Sequence, residues 1–164
     1  MPIAVQSARH LRTGVRRIVA IVKPGADALC AELSKEGCEV VVCENAAEGM
    51  GASLACGARA AGKAGAYLVA LADMPFVRPS SIAAVRDALA GGALLCAPYF
   101  RTRRGHPVGI GGQYYDQLVS LKGDEGARKL LAQNERTLTK IAVGDPGVIR
   151  DIDTPEDLLP PLAV

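Results

Sequence analysis

The chain has no tryptophan, and aromatic residues make up 4% of its 164 positions. A core built without large rings must rely on Ala, Val, Leu and Ile. No apolar stretch approaches the roughly 18 to 20 residues of a membrane-spanning helix, and no signal-peptide segment opens the chain, so no membrane partner is expected. Charge of one sign is also scarce. A formal net charge of +2 is too small to point to nucleic acid or an anionic membrane as the main partner. The five cysteines, Cys30, Cys38, Cys43, Cys56 and Cys96, are odd in number and contain no C-x-x-C. That argues against a disulfide framework and a zinc knuckle, and suggests a reducing, cytoplasmic setting in which most are small buried residues. There is no Walker A motif and no G-x-G-x-x-G after a strand, and no nucleophilic triad can be assembled from the two histidines. A P-loop kinase and a nicotinamide dehydrogenase are therefore disfavoured.

Hydrophobic residues make up 49% and charged residues 22%, the balance of an ordinary globular protein long enough for one proper core. Five short aliphatic runs alternate with alanine-rich segments of helical spacing. The runs are 17–22, 39–43, 66–71, 93–97 and 138–143; helices are expected at 5–11, 27–36, 52–61 and from 79 to 90. Continuous apolar runs between helices predict a mostly parallel sheet covered on both faces, in one domain spanning residues 1–164.

Ligands of such sheets bind outside the carboxyl ends of the strands. Asp73 stands at one such end, in Leu-Val-Ala-Leu-Ala-Asp-Met-Pro-Phe. Pro75 then turns the chain and holds Met74 extended. Asp73 reads either as a turn cap or as a carboxylate presented to a cation. The segment Asp151-Ile152-Asp153-Thr154-Pro155-Glu156-Asp157 bears on that choice. Thr154, Pro155 and Asp157 form a helix start, which leaves Asp151 and Asp153 without a structural explanation. In an extended segment these two point the same way while Ile152 points inward. Paired carboxylates repel unless a cation lies near them, and oxygen-only ligands suit Mg²⁺. Gly49-Met50-Gly51-Ala52-Ser53 lies between a strand and a helix and reads as a glycine turn or as a backbone cradle for an acceptor or anion. His106, in Arg104-Gly105-His106-Pro107, reads as a structural or substrate-contact histidine. Gly123-Asp124-Glu125-Gly126 reads as an acidic helix start. The basic cluster Arg101, Arg103 and Arg104 is a solvated loop or a contact for substrate phosphates.

Taken in order, Gly49 to Leu54, Leu71-Ala72-Asp73-Met74-Pro75, Gly105-His106-Pro107-Val108, Gly123 to Arg128 and Asp151 to Pro155 form a set covering nearly the whole chain. This set resembles the MobA/MocA-like nucleotidyltransferases of molybdenum-cofactor maturation, in detail more the cytidylyl- than the guanylyltransferase branch. The resemblance implies a Rossmann-like, three-layer GT-A-type fold. It also implies Mg²⁺-dependent transfer of CMP or GMP from CTP or GTP to a phosphorylated, molybdopterin-type acceptor. Asp73 and Asp153, or Asp151, would hold the metal. Gly49, Met50, Gly51 and Ser53 would lie against the nucleotide, and His106 with Asp124 would border the acceptor. A molybdoenzyme or maturation chaperone, and self-association, are the implied macromolecular partners. Members of that family open with a central strand and a glycine-rich, basic loop, whereas this sequence starts at the following helix. The resemblance therefore makes the chain N-terminally truncated relative to the family, its first strand missing. It leaves two readings, a nucleotidyltransferase and a non-catalytic nucleotide- or partner-binding derivative.

Overall fold

A computed structural model describes residues 1–159; residues 160–164, the tail of the expected single domain, lie outside it. The elements run α1 (Ile3–Arg12), β1 (Val19–Val22), α2 (Asp27–Lys35), β2 (Glu39–Val42), α3 (Met50–Ala61), β3 (Ala66–Val69), α4 (Pro79–Ala90), β4 (Leu95–Phe100), β5 (Arg103–Arg104), β6 (Val108–Gly111), α5 (Tyr115–Val119), α6 (Gly126–Gln133) and β7 (Leu138–Ala142). Each of the five aliphatic runs carries a strand, and the four expected helices form within two residues of their predicted ends. Among the described residues no helix is long and apolar enough to cross a membrane.

The strands form two sheets. β1 and β2 pair in parallel. The second sheet has the order β3-β6-β4, with β5 and β7 also on β4. β6 runs antiparallel to both neighbours, whereas β7 is parallel to β4. The α/β class holds, but strand directions are more mixed than the expected, mostly parallel sheet. The difference lies in β6, Val-Gly-Ile-Gly, whose glycines hide a strand from any reading of propensity. Those glycines answer to packing: a Cβ at Gly109 would stand 2.4 Å from the Cys96 sulfur, and one at Gly111 3.0 Å from the Leu94 carbonyl oxygen. β1 pairs only with β2 and β3 only with β6, so each keeps one unpaired edge among the described residues.

Helices tie the two sheets together. On one face Gly57 of α3 brings that helix close to Ile21 of β1, with an added Cβ 3.1 Å from it. Leu54 and Ala58 of the same helix pack with Tyr67, Val69, Leu95 and Ile110 of the larger sheet. On another face Leu11 of α1 belongs both to the cluster around Val5, Ile18 and Leu33 and to that around Met74, Val77 and Ile82. Leu95 and Ile110 are fully buried, and burial of such a side chain contributes about 1.5–3 kcal/mol. α4 begins at Pro79, whose fixed φ suits the first helical position, and buries Ile82 and Val85.

Candidate active site

Asp73 lies four residues past β3, in the turn that Pro75 closes. The backbone carbonyl of Asp73 accepts a 2.8 Å hydrogen bond from the Ile152 N–H. This bond brings the C-terminal segment alongside the turn. Ile152 is buried, with Asp151 and Asp153 exposed on either side of it, which is the alternation expected of an extended segment. One carboxylate oxygen from each of Asp73, Asp151 and Asp153 lies within 4.8 Å of the others. Two residues far from Asp73 in sequence thus complete a cluster with it.

The electrostatics of this cluster are unfavourable for protein alone. The Oδ1 atom of Asp73 is withdrawn from solvent and has no hydrogen-bond partner. Burial raises the Asp73 carboxyl above its ordinary range, and the charges of Asp151 and Asp153 raise it further, against a backbone hydrogen bond that lowers it. A half-buried carboxylate with one unpartnered oxygen, close to two other carboxylates, is costly unless a cation joins them. Divalent cations take carboxylate oxygens at about 2.0–2.6 Å, so the donor set fits one such ion, with water or phosphate completing its shell.

Asp157 supports the cluster without belonging to it. Its carboxylate accepts from the N–H of Asp153 at 3.1 Å and of Thr154 at 2.8 Å, and from the Thr154 hydroxyl at 2.9 Å. These donors, those of Thr154 first, hold its carboxyl below the usual range. Arg150 donates to the carbonyls of Asp157 and Leu159 and stacks over Phe76, 4.3 Å from the ring centre. The expected helix start is present as a single 3-10 turn, Pro155–Leu158.

His106 reaches the same region through a bulge. Between the pairs Leu95↔Ile110 and Tyr99↔Arg104, four steps along β4 face six along its partner. The two extra residues are taken up around His106-Pro107, which lifts His106 out of the ladder. Its N–H donates to the Val148 carbonyl at 2.8 Å, and it lines a cleft with Leu71, Arg103, Arg104 and Asp151. Burial, then the Arg104 charge, hold the imidazole pKa down to about 4, against the pull of Asp151. It is a neutral group at pH 7.

The glycine segment forms a second group of contacts. Gly49 has φ of +131° and packs so closely that a Cβ would stand 2.1 Å from an Asp124 carboxylate oxygen. The N–H groups of Gly51 and Ala52 both donate to the Gly123 carbonyl, at 2.7 and 3.2 Å. Two donors expected to be open at this helix start are thus already used, which narrows the cradle to the Met50 N–H and the Ser53 hydroxyl. The structure joins Asp124 to Gly49 and His106 to Asp151, so the two residues expected to border one acceptor pocket stand in different groups of contacts. Sequence reasoning left Arg104 between two readings; its position two residues before His106 was the available signal.

An α/β fold with clustered acids past the carboxyl end of a strand suits a nucleotidyltransferase. Comparison with known proteins agrees. The pattern of the MobA-like NTP transferase domain matches residues 1–138. A nicotine blue oxidoreductase from Paenarthrobacter nicotinovorans is 30% identical over 152 residues, 88% of this chain and 74% of that protein. The purine catabolism protein PucB of Bacillus subtilis is 32% identical over 119 residues, 71% of this chain but 57% of its own length. Among solved structures, Rv0371c of Mycobacterium tuberculosis superposes with a TM-score of 0.79 at 25% identity, covering 94% of this chain and 80% of that one. A manganese complex of Rv0371c gives 0.78 at the same identity, covering 94% and 82%. The chain belongs to the MobA-like NTP transferase domain family, and its enzyme class is nucleotidyltransferase.

Proposed function

We propose that the chain transfers a nucleoside monophosphate, CMP or GMP, from the corresponding triphosphate to a phosphorylated acceptor of the molybdopterin type. The observation that carries this reading is the convergence of the Asp73, Asp151 and Asp153 carboxylates, of which Asp73 has one shielded oxygen without a partner. These three would hold Mg²⁺; the manganese complex of the Rv0371c relative supports a divalent ion at such a fold. A bound divalent ion would supply neutralisation of phosphate charge. In the reaction an acceptor phosphate oxygen bonds to the α-phosphorus, the bond from that phosphorus to the bridging β-phosphate oxygen breaks, and pyrophosphate leaves with the electron pair. The attacking oxygen is already anionic, so the protein needs neither a nucleophile nor a strong base. What the chain supplies is position. Ile152 anchors the two exposed acids beside Asp73, Asp157 orients the Asp153 backbone, and Met50 and Ser53 lie against the nucleotide, with Gly49 and Gly51 packed on the 122–124 turn behind them. His106, kept neutral, borders the acceptor beside Asp151 as a hydrogen-bonding group.

The test is release of pyrophosphate from CTP or GTP with Mg²⁺ or Mn²⁺ and a molybdopterin-type acceptor, repeated with Asp73→Asn and Asp153→Asn. Cation-dependent release that both variants abolish supports the reading. The alternative is a non-catalytic member that binds the triphosphate with the cation; binding without release in the wild type selects it.

A further inference from the structure

We infer that Arg104, with Arg103 beside it, is a phosphate-binding arm of the active-site cleft, facing the acidic cluster across His106. This rests on reading that cluster as the cation site of a nucleotidyltransferase. The first observation is placement. β4 turns into β5 through Arg101 and Thr102, with Arg101 at φ +56°. This tight hairpin delivers Arg103 and Arg104 to the cleft that His106 and Asp151 also line. Arg104 closes β5 and His106 follows it in the bulge, and both residues line this cleft. The Arg104 charge is felt by the His106 ring, as expected of a guanidinium on the cleft side.

The second observation is rigidity. Arg104 is paired with Tyr99 in the ladder. The next two N–H groups are both taken, Gly105 by the Pro98 carbonyl at 2.7 Å and His106 by the Val148 carbonyl at 2.8 Å. Gly105 has no room for a side chain, since a Cβ would lie 2.2 Å from the Val148 carbonyl oxygen. The backbone beneath Arg104 is thus clamped between β4 and the 146–149 turn.

The third is that the guanidiniums are uncommitted. Among the described residues the ion pairs use Arg9, Arg17, Lys35, Arg78, Arg86 and Lys129. Arg103 and Arg104 are in none of them, although Asp151 shares their cleft. Two arginines on a clamped backbone, sharing a cleft with Asp151 yet unpaired with it, suit a ligand placed between them. A phosphate is such a ligand: its oxygens take a cation on one side and the planar guanidinium fork on the other. The group can come from an acceptor phosphomonoester or from the triphosphate tail, and both present the same chemistry.

The experiment measures binding by the full chain of three probes: Mn²⁺ alone, phenyl phosphate with Mg²⁺, and CTP or GTP with Mg²⁺. Wild type, Arg104→Ala and Arg104→Lys are compared. Mn²⁺ binding by the wild type tests the cation-site reading by itself, and its absence overturns that reading whatever Arg104 does. With Mn²⁺ affinity unchanged in Arg104→Ala, a loss of about tenfold or more for a phosphate probe, partly restored in Arg104→Lys, is the expected result. Loss for phenyl phosphate assigns the arm to the acceptor; loss for the triphosphate assigns it to the nucleotide tail. Equal behaviour of wild type and Arg104→Ala towards both phosphate probes, including no binding by either, overturns the inference while leaving the cation site standing.

Discussion

Asp145 and Asp73 are both aspartates drawn into the protein, and they are treated in opposite ways. Asp145 is 2% exposed, yet its carboxylate is saturated. It accepts from the N–H of Arg78 at 2.9 Å, the Ser81 hydroxyl at 2.7 Å and the N–H of Gly147 at 2.9 Å, with the Arg78 guanidinium 3.7 Å away. Asp73 is half-buried and keeps one shielded oxygen with no partner, and its carboxylate lies close to two more acids. Asp145 ties the start of α4 to the 146–149 turn and does so for the fold. Asp73 is held in a state that the protein alone does not satisfy. The difference shows that depth of burial does not mark a site; unsatisfied burial does.

The largest effect that would sharpen this contrast is expected at the satisfied residue. Asp145→Ala strands a buried hydroxyl and two N–H groups. It should cost about 3–5 kcal/mol of stability, seen as an earlier midpoint in denaturant titration. The corresponding change at the unsatisfied residue should run the other way. Asp73→Asn should leave cation-free stability equal or higher while weakening Mn²⁺ binding about a hundredfold or more, by calorimetry. A clear loss of stability on Asp73→Asn would make it a structural residue like Asp145 and dissolve the comparison.

The pH dependence of the cation-free protein sharpens it further. The folded Asp73 carboxyl titrates above its unfolded value. Its contribution to stability is therefore complete below the ordinary carboxylate range and is lost as pH rises through the raised folded value. Asp73→Asn should remove that slope. His106 has the opposite sign. Its folded pKa of about 4, against an ordinary 6.5, gives stability that is complete above the unfolded value and lost as pH falls towards 4. Thermal melts between pH 4 and 8, with His106→Asn as control, would separate the two slopes.

The smallest effect is expected at Asp157, which orients the backbone beside a carboxylate without ligating. Asp157→Ala should lower Mn²⁺ affinity by about tenfold, well short of the Asp73 effect, with the fold retained by circular dichroism. Equal losses at Asp157 and Asp73 would place Asp157 in the site itself.

Local sequence determined much of this molecule. The five aliphatic runs and the helical spacing between them yield strands and helices near their expected bounds because each buries its own apolar face against a neighbour. The alternation Asp151-Ile152-Asp153 was readable in the same way, since burying Ile152 forces both acids outward. The motif order was enough for the family. Other features depended on residues brought close only by folding. The glycines of β6 look like turn formers until Cys96 and Leu94 are seen against them, so the antiparallel strand and the mixed sheet were hidden. Gly51 and Ala52 offer open donors in sequence, and the 122–124 turn closes them. The four-against-six mismatch on β4 lifts His106 beside Asp151, and one hydrogen bond from Ile152 to Asp73 assembles three acids from two distant segments of the chain. Short-range pattern sets which residues face inward, but which inward and outward groups meet is decided by pairing across the fold, and the site depends on the second of these.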